Sequence, residues 1–459
     1  MELRLVPSLG VIKQKENKLK NIKKVLVLLI TIYLLGCNST VAKSSSVKIS
    51  KSQLQKYENI FKNLKEYLSK KENVKLWNHT LYGSLLFINQ KDRIIIANEP
   101  DTKGFLQKDG NVYTGILPKE INIANTDFDW NGKRWSMVML PLPKDYNERQ
   151  NLIIHELFHR IQPVIGFSNL IRKQSNHLDD LNGKIFLKLE LTALTKALES
   201  DSSAIRQKHI RDAIFFRHYR YELYPGAKEA ENTLDIKEGL AEYTGSILSG
   251  RTDKELKKHY IKAINDFYSY PTFVRSFSYV TIPVYGYFMN LKNINWNKKI
   301  SKSTNLTDFI TNFFKVTIPS DLKDTINNIK AEYGFDKIST FEIKRYNERK
   351  KLMAEFETKF KKNPTLIINF EKMHIQFDPR NIIPFKDLGT VYPNLRITDN
   401  WGILTAKNGA LLGKNWQKVT VSDPTEITDT IVKGDGWQLK LNKSWKLIKI
   451  GKNYTLKKK

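Results

Sequence analysis

Apolar residues recur at intervals of three and four over residues 53–69 (Leu54, Tyr57, Ile60, Phe61, Leu64, Leu68), and this spacing predicts an amphipathic helix. Short apolar runs at 81–88 and 93–97, with Gln90-Lys91-Asp92 as a turn between them, predict two strands. Residues 134–142 predict a further strand, either at a cleft edge or in the core, directly before a helix over 148–162. Ile153, Ile154, Leu157, Phe158 and Ile161 give that helix a broad apolar surface; Asp145 or Asn147 can cap it and Pro163 ends it. Residues 178–223 predict two helices interrupted near Asp201-Ser202 and closed by Pro225. Asp235 can cap a helix running to about 248, with Gly250 closing it, and 252–269 continue the helical pattern. Between 272 and 290 the aromatics Phe273, Phe277, Tyr279, Tyr285, Tyr287 and Phe288 crowd around Pro283 and Gly286. From about 365 the period changes to two, with strands at 366–370, 395–398, 402–406, 417–421, 437–441 and 445–450 and turns at Asp399-Asn400 and Asn408-Gly409. The pattern implies an α+β chain: a mainly helical unit over 51–360, then a β-rich unit over 365–459, a sandwich or small barrel.

The helix at 148–162 carries His155-Glu156-Leu157-Phe158-His159, which reads H-E-x-x-H. Residues four apart share one helix face, so both imidazoles can grip one zinc ion from the same side. Glu156 stands beside them, where a carboxylate can act as general base. Two incidental basic groups on an apolar helix would need other partners. Zinc at a catalytic site takes three protein ligands. Glu238, in Lys237-Glu238-Gly239-Leu240-Ala241-Glu242-Tyr243, is the preferred third. Glu242 lies one turn on, suited to hold a ligand rather than the metal. Seventy-eight residues (160–237) separate the two motifs, and they contain other possible ligands: His177, Asp179, Asp180 and Glu190. Tyr279, Tyr285 and Arg275 are candidates for stabilising an oxyanion, although aromatic helix packing is the better account of any one of them taken alone.

H-E-x-x-H followed by E-G-x-A-E-Y resembles the gluzincin group of zinc metallopeptidases. The likeness covers residues 151–160 and 236–245. It also extends to bacterial lipoprotein peptidases in which H-E-L-F-H-R-I-Q and E-G-L-A-E-Y-T-G both occur. The resemblance implies a zincin-like catalytic domain, zinc as cofactor, His155, His159 and Glu238 as ligands, and Glu156 as general base. The long interval before Glu238 departs from the spacing of many gluzincins.

Lys18, Lys20, Lys23 and Lys24 precede an apolar run at 25–35, followed by Leu34-Leu35-Gly36-Cys37. A basic region, a short apolar core and a small residue before the cut predict a secretory signal over 1–36, and the run is too short for a comfortable span. The ending resembles a bacterial lipobox, which implies lipidation of Cys37. Cys37 is the only cysteine in the chain, so no internal disulfide can form. The Ser- and Lys-rich stretch at 37–50 reads as a tether. These features predict a membrane-anchored lipoprotein of the bacterial cell envelope.

The net charge of +29 is read mainly as solvated lysine surface; it would also suit anionic membranes or acidic substrates. Nucleic acid is not an expected partner, because no motif for it occurs. The sequence therefore predicts a lipid-anchored zinc metallohydrolase acting on peptides or proteins. Its rivals are a catalytically weak zincin-fold binding lipoprotein, and an envelope adhesin in which the β-rich unit matters most.

Overall fold

The computed structural model describes residues 49–459, apart from 169, 171, 172, 174, 293, 294, 379–381, 386 and 387. The signal, the Leu34-Leu35-Gly36-Cys37 ending and most of the tether lie outside the described residues. Helix α1 (Lys51–Leu68) opens with a capping box between Ser50 and Gln53, and α2 (Lys71–Trp77) follows. A six-stranded sheet comes next: β1 (Leu85–Asn89), β2 (Ile94–Ala97), β3 (Gln107–Asp109), β4 (Val112–Ile116), β5 (Thr126–Trp130) and β6 (Lys133–Leu140). Its order is β3-β4-β2-β1-β6-β5, with β1 and β6 parallel.

Leu85, Phe87, Ile96 and Val138 pack against the helices, while Leu86, Ile88, Ile95, Trp135 and Met137 face a second core. The central strands are thus covered on both faces, which explains why β1 reads as a continuous apolar run. The strand expected at 134–142 is β6, and of the two places open to it the structure gives the interior one, because β5 pairs antiparallel outside β6 from Thr126 to Trp130. Its polar pattern, Thr-Asp-Phe-Asp-Trp, hid it from an apolar-period reading.

Helix α3 (Tyr146–Ile161) follows, capped by Asp145, whose carboxylate accepts from Glu148 N at 2.9 Å. Ser136 Oγ of β6 donates to the backbone oxygen of Glu156 at 3.0 Å, tying this helix to the sheet. The two helices expected in 178–223 are α4 (Leu181–Glu199) and α5 (Ser203–Leu223), with Ser202 capping the second. Next come α6 (Ala227–Leu234), a single π turn (Asp235–Gly239) and α7 (Leu240–Ile247). The rest of the helical unit is α8 (Asp253–Phe267), α9 (Ser278–Asn290), α10 (Leu306–Phe313), α11 (Leu322–Ile329) and α12 (Phe335–Glu357). Among the described residues no helix is long and apolar enough to cross a membrane.

One expectation fails here. Asp235 does not cap a helix; it sits inside a helical run that starts at Ala227. Its carboxylate is buried and accepts from Ser278 Oγ at 2.8 Å and Arg217 Nη1 at 3.1 Å.

The C-terminal region is β-rich, as expected. Its strands are β7 (Thr365–Asn369), β8 (His374–Phe377), β9 (Ile383–Phe385), β10 (Gly389–Tyr392), β11 (Leu395–Asp399), β12 (Gly402–Ala406) and β13 (Ala410–Leu412). They continue with β14 (Lys418–Ser422), β15 (Pro424–Ile427), β16 (Ile431–Gly434), β17 (Trp437–Leu441), β18 (Trp445–Ile450) and β19 (Asn453–Lys458). One sheet runs β18-β19-β7-β14-β13-β10-β9 and the other β15-β16-β17-β12-β11-β8. Both contribute to one core around Trp401, Leu404, Val419 and Trp437, which makes a sandwich. Phe356 and Phe360, at the end of α12 and the turn after it, pack on Phe385, Val391 and Leu411 and join the two units.

Candidate metal centre

Helix α3 and the turn between α6 and α7 bring three donor side chains together. His155 Nε2 lies 3.0 Å from His159 Nε2 and 3.6 Å from Glu238 Oε2. His159 Nε2 lies 3.2 Å from the same carboxylate oxygen. Metal–donor bonds of about 2.1 Å in a tetrahedral arrangement place donors about 3.4 Å apart. The three observed edges of 3.0, 3.2 and 3.6 Å bracket that value. Two imidazoles and one carboxylate suit a divalent metal of zinc's kind, so the residues present fit the group.

The second ring nitrogens are already committed. His159 Nδ1 meets Gln162 Oε1 at 2.8 Å, and the Gln162 amide nitrogen donates to the carbonyls of Ile236 and Lys237 at 3.1 and 2.9 Å. The amide's orientation is thereby fixed: its oxygen accepts, so His159 carries its proton on Nδ1 and leaves Nε2 with a free lone pair. His155 Nδ1 meets Glu242 Oε2 at 2.9 Å. Glu242 Oε1 accepts from Asn151 Nδ2 at 2.9 Å, and Asn151 Oδ1 accepts from Arg251 at 3.2 Å. Each imidazole therefore presents Nε2 to the centre of the cluster.

The π turn is what aims Glu238. Leu240 N donates to Asp235 O, five residues back, which widens one turn of the helix. Two glycines let the surrounding elements close in. A Cβ at Gly239 would stand 2.7 Å from Ile282 of α9, and one at Gly245 would stand 2.6 Å from the backbone oxygen of Asn151 on α3. The glycines of E-G-L-A-E-Y-T-G thus keep both neighbouring helices at contact distance.

The electrostatics favour a cation at the cluster. Burial works against charge on His155, but its bonds to Glu238 and Glu242 outweigh this and push it up to about 10. Burial raises the Glu238 carboxyl, yet the His155 and His159 bonds hold it well below the usual carboxylate range. Glu156 behaves differently. Burial pushes its carboxyl up, and the nearby histidines only partly offset this. Among the described residues its Oε2 is buried with no hydrogen-bond partner. Such an orphaned oxygen is costly in a core and useful facing a reaction.

The other sequence candidates divide clearly. Tyr279 reaches the cluster: its hydroxyl donates to Glu238 Oε2 at 2.6 Å, and its ring stacks on His155 at 5.4 Å. Burial, then the Glu238 charge, pushes its phenol well up, so it remains a donor. Tyr285 does not reach it. It is fully buried, and its hydroxyl donates to Glu190 Oε1 at 3.1 Å. Arg275 lies within electrostatic reach of Tyr392 in the C-terminal sandwich.

The alternative ligands are also committed elsewhere. Glu190 accepts from Arg217 at 2.9 Å and Arg220 at 2.8 Å. His177 meets Glu231 at 2.7 Å, while Asp179 accepts from Thr272 Oγ1 at 2.9 Å and pairs with Arg349 at 3.2 Å. Asp180 stands at the start of α4. Among the described residues only His155, His159 and Glu238 gather as a possible metal site. Sequence reasoning missed Gln162, Asn151 and Arg251. Gln162 and Asn151 stand three residues after His159 and four before His155, which is a usable signal; Arg251 gave none.

A cavity of about 400 Å3 adjoins the cluster, lined by Glu242, Tyr279, Glu148, His259, Phe267 and Tyr270 among others. Comparison with models of known protein families, with curated proteins and with solved structures gave no match to this chain.

Proposed function

We propose that this chain is a zinc-dependent hydrolase of the gluzincin-like kind, acting on peptide bonds. The observation that carries the reading is the donor triangle of His155, His159 and Glu238 beside the unpartnered, buried Oε2 of Glu156. Zinc held by the three donors would supply Lewis acidity, polarising a carbonyl and making water acidic near neutral pH.

The chain's own groups do the rest. Glu156 has no competing partner at Oε2 among the described residues and a raised carboxyl, so it can take a proton from water and keep it long enough to return it to a leaving amine. Glu242 and Gln162 hold the two imidazoles by their far nitrogens, which sets the tautomers that metal binding requires. The Tyr279 hydroxyl stays protonated beside Glu238, and by turning its one proton from Glu238 it would meet negative charge developing on a carbonyl oxygen. Strand β5, at the sheet edge beside β6, offers unpaired backbone groups to an extended peptide. The basic leader, apolar run and Cys37 support export and lipid anchoring in a bacterial envelope.

Metal content and peptide-library cleavage by residues 38–459, compared with Glu156→Gln, test the reading. About one zinc per chain with cleavage only in the unsubstituted protein is expected. Absence of zinc, or equal cleavage by both proteins, overturns it.

A further inference from the structure

The six-stranded sheet of the C-terminal sandwich turns one face to the core and the other to solvent. Along β11, β12 and β17 the burial alternates strictly: Leu395, Ile397, Leu404, Ala406, Leu439 and Leu441 are buried. Between them Arg396, Thr398, Ile403, Thr405, Gln438 and Lys440 face outward. Register sets these side chains in rows. Gln376, Arg396, Thr405, Gln438 and Lys433 lie side by side across five strands. Thr398, Ile403 and Lys440 form the next row, and Lys407 extends β12 beyond Ala406.

The rows enclose a shallow cavity of about 410 Å3 that includes Arg396, Thr405, Lys407, Gln438 and Lys440. Lys433 is neutralised by Glu426 at 2.9 Å. The side chains of Arg396, Lys407 and Lys440 make no ion pair or hydrogen bond with any described residue. Three uncompensated cations on one rigid face repel one another, and an anionic ligand would relieve this. The floor between them carries the hydroxyl of Thr405 and the amide of Gln438, which can both donate to and accept from a polyol, beside the apolar Ile403, on which the C–H face of a sugar ring can rest.

We propose that this face binds an acidic polysaccharide, its carboxylates, sulfates or phosphates paired with Arg396, Lys407 and Lys440 and its hydroxyls with Thr405 and Gln438. Neighbouring strands lie about 4.8 Å apart and alternate residues about 6.8 Å apart, so a flexible chain of charged sugars can meet several cations at once. Single-stranded nucleic acid fits the face less well. Its binding relies on aromatic stacking platforms, and the outward positions of β8, β11, β12, β16 and β17 carry a single imidazole, His374 at the β8 edge, and no phenyl, phenol or indole ring. Trp437, the one large ring beside the cavity, is 4% exposed and donates inward to Ser422 Oγ. The inference stands independently of the metal centre.

The test uses the full chain with two probes, size-fractionated heparin and polygalacturonate, titrated at several salt concentrations. Arg396→Ser/Lys407→Ser/Lys440→Ser should weaken both by about tenfold or more and flatten the salt dependence. Lys443→Ser/Lys446→Ser/Lys449→Ser removes the same charge from exposed positions near and on β18, and should stay within about twofold of the parent. Equal weakening by the two triples would show binding to net charge alone and overturn the site. Tighter binding of oligo-dT or of phosphatidylglycerol vesicles through the same three residues would also overturn it, as would failure of both polysaccharides to bind. Lys440→Ser alone gives the same reading should the first triple fail to fold.

Discussion

At the residue scale, the candidate site separates groups that would hold a metal from a group that would move protons, although all are carboxylates or imidazoles. Glu238 has its Oε2 within 3.2 Å of His159 and 3.6 Å of His155, whereas Glu156 has an oxygen with no partner among the described residues. Glu156→Gln should therefore keep zinc and lose about a hundredfold or more in turnover. Glu238→Ala should lose both zinc and turnover. Glu242→Ala should cost about ten- to a hundredfold, because it acts through the His155 ring. Zinc content measured beside rate decides the matter: full zinc in Glu238→Ala would remove it from the ligand set. The motif residues were legible because ligation needs given side chains at helical spacing, and such a pattern is written in one dimension. Asp235 and Tyr285 were misread for the converse reason. Their partners, Arg217, Ser278 and Glu190, lie far along the chain, and no local pattern shows which charge will be buried against which.

At the element scale, a buried ionic lattice supports the turn that carries Glu238. Glu190 of α4, Arg217 and Arg220 of α5, Glu231 of α6 and Asp235 of the π turn are each 0–1% exposed and bonded to one another. On the sequence Glu190 reads as a possible ligand and Asp235 as a helix cap, and nothing local marks either as a partner of Arg217 or Arg220. The lattice also explains why Glu190 stands apart from the cluster of His155, His159 and Glu238. Glu190→Gln leaves two buried guanidinium groups short of a counter-charge, so it should cost about 3–5 kcal/mol in urea unfolding, while the folded protein still binds zinc. Loss of zinc without loss of stability would return Glu190 to the ligand set. The contact of α3 with α7 makes a second prediction. A methyl at Gly245 meets backbone rather than a flexible side chain, so Gly245→Ala should destabilise by about 1–3 kcal/mol and weaken zinc binding together. Unchanged stability and affinity would show that the two helices can part freely. Long periodic helices such as α1, α4, α5 and α8 were legible from their apolar spacing. The π turn was not, because one inserted residue leaves no trace in composition, and strands of three or four residues such as β3 and β9 are too short to establish a period.

At the scale of the whole molecule, the division into a helical unit and a β-rich unit was visible in the change of period near residue 365, but the sheet pairing between distant strands was not. The anchoring proposal belongs to this scale. Cys37→Ser should abolish labelling by a fatty-acid probe, and equal labelling of both proteins would remove the lipid anchor. Acid stability is the other property of the whole fold, and His218 provides the handle. His218 lies on α5, and its Nε2 meets Thr311 Oγ1 of α10 at 3.0 Å. The Thr311 hydroxyl already donates to Thr307 O at 2.7 Å, so the imidazole must be the donor. Burial, then the neighbouring Lys228 charge, lowers the ring to about 4. The unfolded chain, with an ordinary histidine near 6.5, thus binds this proton more readily than the folded one. Stability from this group is complete above about pH 6.5 and is lost progressively as pH falls to about 4. The ring is partly exposed, so solvent screening limits the loss to the order of 1–2 kcal/mol. His218→Gln keeps a donor for Thr311 and cannot take up the proton. Urea midpoints measured at several pH values between 4 and 7 should therefore fall less steeply for His218→Gln than for the parent. Parallel curves would mean that His218 titrates alike in both states and that acid lability arises elsewhere in the fold.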